Sequence, residues 1–230
     1  MIRALAFISM TMPLIASCGL VPEATFEPAT SMKSKVKQSN QSGSTFEPWI
    51  SADGRYELRI PIHWYVSTSA EDSDRATALE SATGDGAGVS RRKTLLNIRT
   101  SKENHFAVFQ LTTYPLEGVD QELMSRMTET DLRILERGLK DEMQRIKGNL
   151  GFTVVSWDKA SFTRVNSMRA WTVGYKFTTE ASDAEWHTSI VNLPINGQII
   201  EMSSTYAISK VTLAKPTLSS IVNSFKTRRQ

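Results

Sequence analysis

Tyr56, Leu58, Ile60, Ile62 and Trp64 alternate with Glu57, Arg59, Pro61 and His63, the period-two pattern of a strand that buries one face. Asp53-Gly54 before it is a turn signal, and Pro61 inside the run points to an edge strand or a break there. From Ser67 to Arg92 the chain becomes small and polar, with Gly84, Gly86 and Gly88 clustered, which predicts a long loop with one helical turn around Arg75 to Ser81. Leu95 to Arg99 and Phe106 to Thr113 read as strands paired across Ser101-Lys102-Glu103-Asn104, apolar on both faces.

From Asp120 to Lys147 the period changes. Leu123, Met127, Leu132, Leu135, Leu139, Met143 and Ile146 recur at steps of three to five and keep to one face of a long helix. Asp120 and Glu122 at its start and Arg145 and Lys147 at its end suit the helix dipole, and Gly148 is a natural stop. Strand patterns follow at Phe152 to Trp157, Ala160 to Val165, Met168 to Thr178, Glu185 to Leu193 and Gln198 to Tyr206. Asn166-Ser167 and Asn196-Gly197 mark tight turns, the second a strong hairpin signal. A short amphipathic helix from about Pro216, with Leu218, Ile221, Val222 and Phe225 as its stripe, closes the chain. The order predicts an α+β domain, an antiparallel β-sheet covered by the long helix and the C-terminal helix.

The first 17 residues have another logic. Arg3 is followed by an uncharged, largely apolar run that ends at Ile15-Ala16-Ser17-Cys18, the three-part layout of a secretory signal peptide. The run is broken by Ser9, Thr11 and Pro13 and falls short of the roughly 20 apolar residues that a spanning helix needs. Its end resembles the bacterial lipobox, with Ile15 where Leu is more usual. That resemblance implies cleavage between Ser17 and Cys18, lipid on Cys18, and a mature chain held to a membrane by its first residue. A conventional signal peptide is the alternative, but Cys18 is the chain's only cysteine and stands where a lipobox requires it. Gly19 rather than Asp after it resembles the enterobacterial pattern for release to the outer membrane, so the periplasmic face of that membrane is expected in a cell with two.

Residues 18–48 are rich in Ser, Thr, Pro, Gln and Lys and poor in large apolar side chains, too poor to offset the entropy of ordering. They read as a flexible tether spanning roughly 30 Å. Lys33, Lys35 and Lys37 are either solvated tether charges or weak contacts to anionic lipid. Thr25-Phe26-Glu27-Pro28 recurs as Thr45-Phe46-Glu47-Pro48. Residues 49–230 are then a single globular domain, large enough to bury a core of its own.

Composition narrows the chemistry. Among 230 residues the net charge is +3, too balanced to indicate nucleic acid. With Cys18 acylated no thiol remains for a disulfide or for catalysis. Thr83 to Lys93 carries glycines and basic residues but lacks the Gly-Lys-Ser/Thr of a phosphate loop. Glu71, Asp72 and Asp74 fail the EF-hand pattern at Ala76, Thr77 and Thr83. His63, His105 and His187 are not spaced as metal ligands, and no Gly-x-Ser-x-Gly elbow is present. No catalytic residue, metal site or cofactor is indicated. Arg91, Arg92 and Lys93 are candidates for contact with an anionic partner. Trp49 and Trp186 are candidates to line a partner surface, whereas Trp64, Trp157 and Trp171 fit a core.

YELRIPIHW from Tyr56, RAWTVGYKF from Arg169, GQIIEMSSTY from Gly197 and IVNSF from Ile221 together resemble the PsbP-like fold, which also includes DcrB-type and Mog-type proteins. The resemblance spans residues 49–227 and implies an α/β/α sandwich. Such proteins act in assembly, stabilisation or chaperoning by binding other macromolecules, so a non-catalytic, protein-binding envelope lipoprotein is the leading expectation. A small-ligand or ion-binding domain built on the Gly84 to Lys93 loop is the alternative, and a hydrolase comes last.

Overall fold

The computed structural model describes residues 45–68, 71–72, 92–146, 152–179 and 182–228. The Cys18 region, most of the tether, the helical turn at 75–81 and the glycine loop with Arg91 lie outside the described residues.

Eleven strands, three α-helices and a 3-10 turn at Ile208–Lys210 are described: β1 (Phe46–Ile50), β2 (Tyr56–Pro61), β3 (Tyr65–Val66), β4 (Lys93–Arg99), β5 (Ala107–Pro115), α1 (Gln121–Arg126), α2 (Glu129–Ile146), β6 (Phe152–Trp157), β7 (Ser161–Val165), β8 (Met168–Thr179), β9 (Ser182–Ile195), β10 (Gln198–Ala207), α3 (Val211–Asn223) and β11 (Lys226–Thr227). An antiparallel sheet runs β3-β4-β5-β10-β9-β8-β6, with β7 also pairing β8, and a small sheet runs β1-β2-β11. The β9–β10 hairpin turns on Asn196 and Gly197, both at positive φ, as its Asn-Gly predicted.

The two faces of the large sheet feed two cores. On β8, Trp171, Val173, Tyr175 and Phe177 pack with Leu132, Leu135, Leu139 and Met143 of α2. On the opposite face, Phe109, Leu111, Leu193 and Met202 pack with Leu58 and Ile60 of the small sheet and with Ala214, Leu218 and Ile221 of α3. Helix, sheet, and helix with small sheet therefore form three layers, the expected α/β/α arrangement.

Four elements differ from the pattern. The helix over Asp120 to Lys147 is two helices, since Met127 turns extended at φ −65°, ψ 138°. Thr128 starts the second in a reciprocal cap: its N–H donates to Asp131 Oδ2 at 2.8 Å, and the Asp131 N–H to Thr128 Oγ1 at 3.4 Å. β1 takes in Phe46 to Pro48, so the second Thr-Phe-Glu-Pro copy is part of the fold and only the first falls wholly before it. Antiparallel pairing to β2 supplies the ordering that its composition alone lacks. β2 stops at Pro61, and Trp64 sits in the following turn, its N–H on the Pro61 carbonyl at 3.1 Å. α3 begins at Val211, which leaves Pro216 inside the helix. Pro216 has no N–H to donate, and Leu218 and Ile221 repay that loss by burial at 2% and 0% exposure.

Candidate functional site

The helix face of the large sheet changes character from one side to the other. Directly opposed residues share a face, so the register places Asn97 beside Gln110 and Ser203, and Thr94 beside Thr112, Glu201 and Asn192. Glu201 is 2% exposed and Asn192 3%, and polar groups buried so deeply need partners. Arg92 Nη2 donates to both Glu201 oxygens at 2.8 and 2.9 Å, and its guanidinium lies 5.4 Å from the Tyr114 ring centre. Gln110 donates to Thr94, Asn97 to Asp72, and Thr188 is hydrogen-bonded to Thr205. Asn97 Oδ1 and Asn192 Oδ1 are buried without a hydrogen-bond partner, the setting in which buried water is expected.

Of the acids that failed the EF-hand pattern, Asp74 lies outside the described residues, and Glu71 and Asp72 have structural work. Glu71 accepts from the Thr68 N–H, the Tyr65 hydroxyl and Thr68 Oγ1, and faces Arg99 at 3.5 Å. The Thr68 amide, followed by those other donors, holds its carboxyl at about 2. Among the described residues, no group of three or more His, Cys, Asp or Glu side chains is placed to hold a metal.

On the opposite face, Asp158 meets His187 Nε2 at 2.6 Å. Gly174 makes room for it, because a Cβ there would stand 2.5 Å from Asp158 Oδ2. His187 Nδ1 is buried without a hydrogen-bond partner. Ser189, the residue opposite Gly174, shares its hydroxyl with Thr172 at 3.4 Å instead. An Asp-His pair is present, but among the described residues no nucleophile is hydrogen-bonded to it. Burial pushes the Tyr175 hydroxyl far above its ordinary range, so it stays protonated.

An open cleft of about 460 Å³ lies where β2 and β11 meet the β9–β10 hairpin, lined by Arg55, Tyr56, Ile195, Asn196, Gln198, Thr227 and Arg228. The Asp53-Gly54 turn fixes Arg55. Ser51 Oγ donates to Asp53 Oδ1 at 2.6 Å, and Asp53 accepts the Arg55 N–H at 3.1 Å and Nε at 2.7 Å. The Ser51 hydroxyl, aided by Arg55, holds the Asp53 carboxyl at about 2, so the clasp stays ionised. Across the same end, the Arg228 N–H donates to the Arg55 carbonyl at 2.8 Å.

The residues singled out in the sequence are thus separated. Arg92 points into the protein and is committed to Glu201, so it offers no fork to a partner. Lys93 is exposed at the start of β4, and Arg91 lies outside the described residues. Trp186, expected at a surface, is 6% exposed and packs in the α2-side core. Its period-two spacing from Thr188 and Ile190, which face the same way, was the available signal. Trp49 is half-buried against the other core, opposite Leu58. Arg55 and Arg228 escaped notice because only the pairing of β11 with β2 brings them together. Among the described residues, no helix is long and apolar enough to cross a membrane.

The structure is similar to the solution structure of cyanobacterial PsbP (CyanoP) from Synechocystis sp. PCC 6803, with a TM-score of 0.52 at 13% identity over 88% of this chain and 100% of that one. Weaker similarity extends to LpqN of Mycobacterium tuberculosis, described as involved in cell envelope biogenesis, with a TM-score of 0.41 at 13% identity over 80% and 91% of the two chains. No protein-family model matches the chain, and no curated protein does. The layers, the antiparallel sheet and the C-terminal helix match those of CyanoP, and the chain has a PsbP-like fold.

Proposed function

We propose that this protein is a lipid-anchored component of the bacterial envelope whose PsbP-like domain works by binding a protein partner, without catalysis. The observation that carries the proposal is Ile15-Ala16-Ser17-Cys18, with the chain's only cysteine at the lipidation position. The spacer after Cys18 reaches to Thr45, where the folded domain takes over. A tether of roughly that length holds a domain clear of lipid headgroups yet raises its local concentration near membrane partners. Against catalysis stands the Asp158-His187 pair, whose Nδ1 meets no hydroxyl among the described residues. The reaction classes that need a nucleophile and a base in contact therefore have no support among the described residues.

Membrane fractionation of the wild type beside Cys18→Ser tests the anchor. The wild type is expected to remain with membranes after a high-salt wash and the variant to be released; retention of the variant overturns the lipid anchor. Crosslinking in intact cells tests the binding role, and reproducible absence of any crosslinked protein overturns it.

A further inference from the structure

The cleft between the small sheet and the β9–β10 hairpin has a chemistry that narrows the partner. Arg55 and Arg228 line it together; Arg55 is held by the Nε edge of its guanidinium, and Arg228 turns the same edge toward a carboxylate without hydrogen-bonding it. Arg55 Nε is 2.7 Å from Asp53 Oδ2, and Arg228 Nε is 4.0 Å from Glu57 Oε2. No hydrogen bond among the described residues uses the Nη pair of either guanidinium. A planar guanidinium with an open Nη edge is suited to a carboxylate or phosphate oxygen pair, and Arg55 is fixed beforehand by its turn. Asn196 and Gln198 add amides on the facing wall.

The frame of the cleft favours an extended chain over a small anion. One wall is β11, an edge strand in the order β1-β2-β11, and the other is the end of a hairpin. An extended segment laid between them meets the two-residue edge of β11 and the two guanidinium forks on either side of it, a short form of the mode in which an added strand supplies affinity and side-chain contacts supply specificity. Position argues the same way. The tether joins the small sheet where Phe46 faces Pro61, whereas the cleft opens at Tyr56 opposite Thr227. The length of β2, about 17 Å at strand rise, separates the two, which leaves the cleft clear of the point where the chain enters the small sheet.

We propose that the Arg55–Arg228 cleft is a docking site for an acidic, extended segment of a partner protein. This rests on the protein-binding role proposed above and names the chemistry of the segment. The test uses the full-length acylated protein in detergent and a labelled peptide of alternating Glu and Ser. Its Gln-for-Glu counterpart, inorganic phosphate and vesicles containing anionic phospholipid serve as the other probes. The Glu peptide is expected to bind with an affinity that falls as salt rises, and the Gln peptide is expected to fail. Arg55→Ala with Arg228→Ala should weaken binding about tenfold or more, as loss of charge-assisted hydrogen bonds requires. Lys210→Ala, outside the cleft, should leave it unchanged. Unaltered affinity in the double variant overturns the site. Phosphate that displaces the peptide and binds as tightly makes it a small-anion site, and binding to vesicles alone makes it a lipid contact; either overturns the acidic segment. Cellular crosslinks that persist with no peptide binding reject only this site, while peptide binding with no cellular crosslink rejects only the protein-binding role.

Discussion

Arg92 and Glu201 are 109 positions apart in sequence, yet one guanidinium nitrogen donates to both carboxylate oxygens, at 2.8 and 2.9 Å. Their side chains are 11% and 2% exposed. A pair so buried has paid a desolvation penalty for both charges, and removing one partner strands the other. Glu201→Gln or Arg92→Met is expected to cost about 3 to 5 kcal/mol, whereas Arg92→Met together with Glu201→Leu should recover most of that. Urea unfolding of the three variants checks it. A single-variant loss below about 1 kcal/mol would show that the pair is not buried as described.

Gly174 is held small by its neighbours. A Cβ would meet Asp158 Oδ2 at 2.5 Å and the Thr188 carbonyl oxygen at 2.8 Å, and the second is backbone that cannot swing away. Gly174→Ala is expected to destabilise by about 1 to 3 kcal/mol. Adding Asp158→Ala should return only part of it, because the Thr188 contact remains. Thermal melts of the single and double variants read this directly, and full recovery would refute the backbone contact.

The break between α1 and α2 has its own supports. Arg169 Nη1 donates to the Met124 and Ser125 carbonyls at 2.8 and 3.0 Å, and Nη2 to the Met127 carbonyl at 3.2 Å. It thereby satisfies carbonyls that a helix end leaves open. Thr128→Ala should cost about 1 kcal/mol through the lost cap. Arg169→Lys should cost about 1 to 3 kcal/mol, since an ammonium cannot span three carbonyls in one plane. Thr130→Ala, one turn residue away without a cap role, serves as the reference. Equal stability of all three variants would remove the assigned roles.

Acid should unfold this domain through particular carboxylates. The hydrogen bond from Ser51 holds Asp53 at about 2, and the Thr68 amide does the same for Glu71. The Thr128 amide lowers Asp131; burial pushes Glu136 up, but Lys140 and the Ala160 amide outweigh it and lower it. Their folded values lie below the unfolded ones, so their contribution is complete above the ordinary carboxylate range and is lost as pH falls from about 4.5 toward 2. Stability measured across that range should drop, and Asp53→Asn should make the drop shallower. A flat profile below pH 4.5, or a steeper one in Asp53→Asn, would contradict the assignment.

Local pattern carried much of the fold. Alternation located β4 to β10 within a few residues, Asp53-Gly54 marked the turn into β2 and Asn196-Gly197 the β9–β10 turn, and the apolar stripe of α2 was complete from Leu132 to Met143. The break at Met127 was also legible in Thr128 and Asp131, a capping pair that the continuing apolar period concealed. Phe46 to Pro48 was not, because a Pro-containing edge strand is ordered by its partner and not by its own composition.

By itself the sequence determined the placement of Cys18, the strand patterns from β4 to β10 and the apolar stripe of α2, because each depends on spacing along a few neighbouring residues. Only the tertiary structure decided which charges are spent and which remain open. Arg92 and Arg55 look alike in the chain. Pairing of β5 with β10 on one side and β4 on the other brings Glu201 to Arg92 and buries both, while pairing of β11 with β2 sets Arg228 beside Arg55 at an open edge. Side-chain chemistry at a site depends on contacts between residues far apart in sequence, and strand register, which one hydrophobic pattern cannot specify across a whole sheet, fixes those contacts.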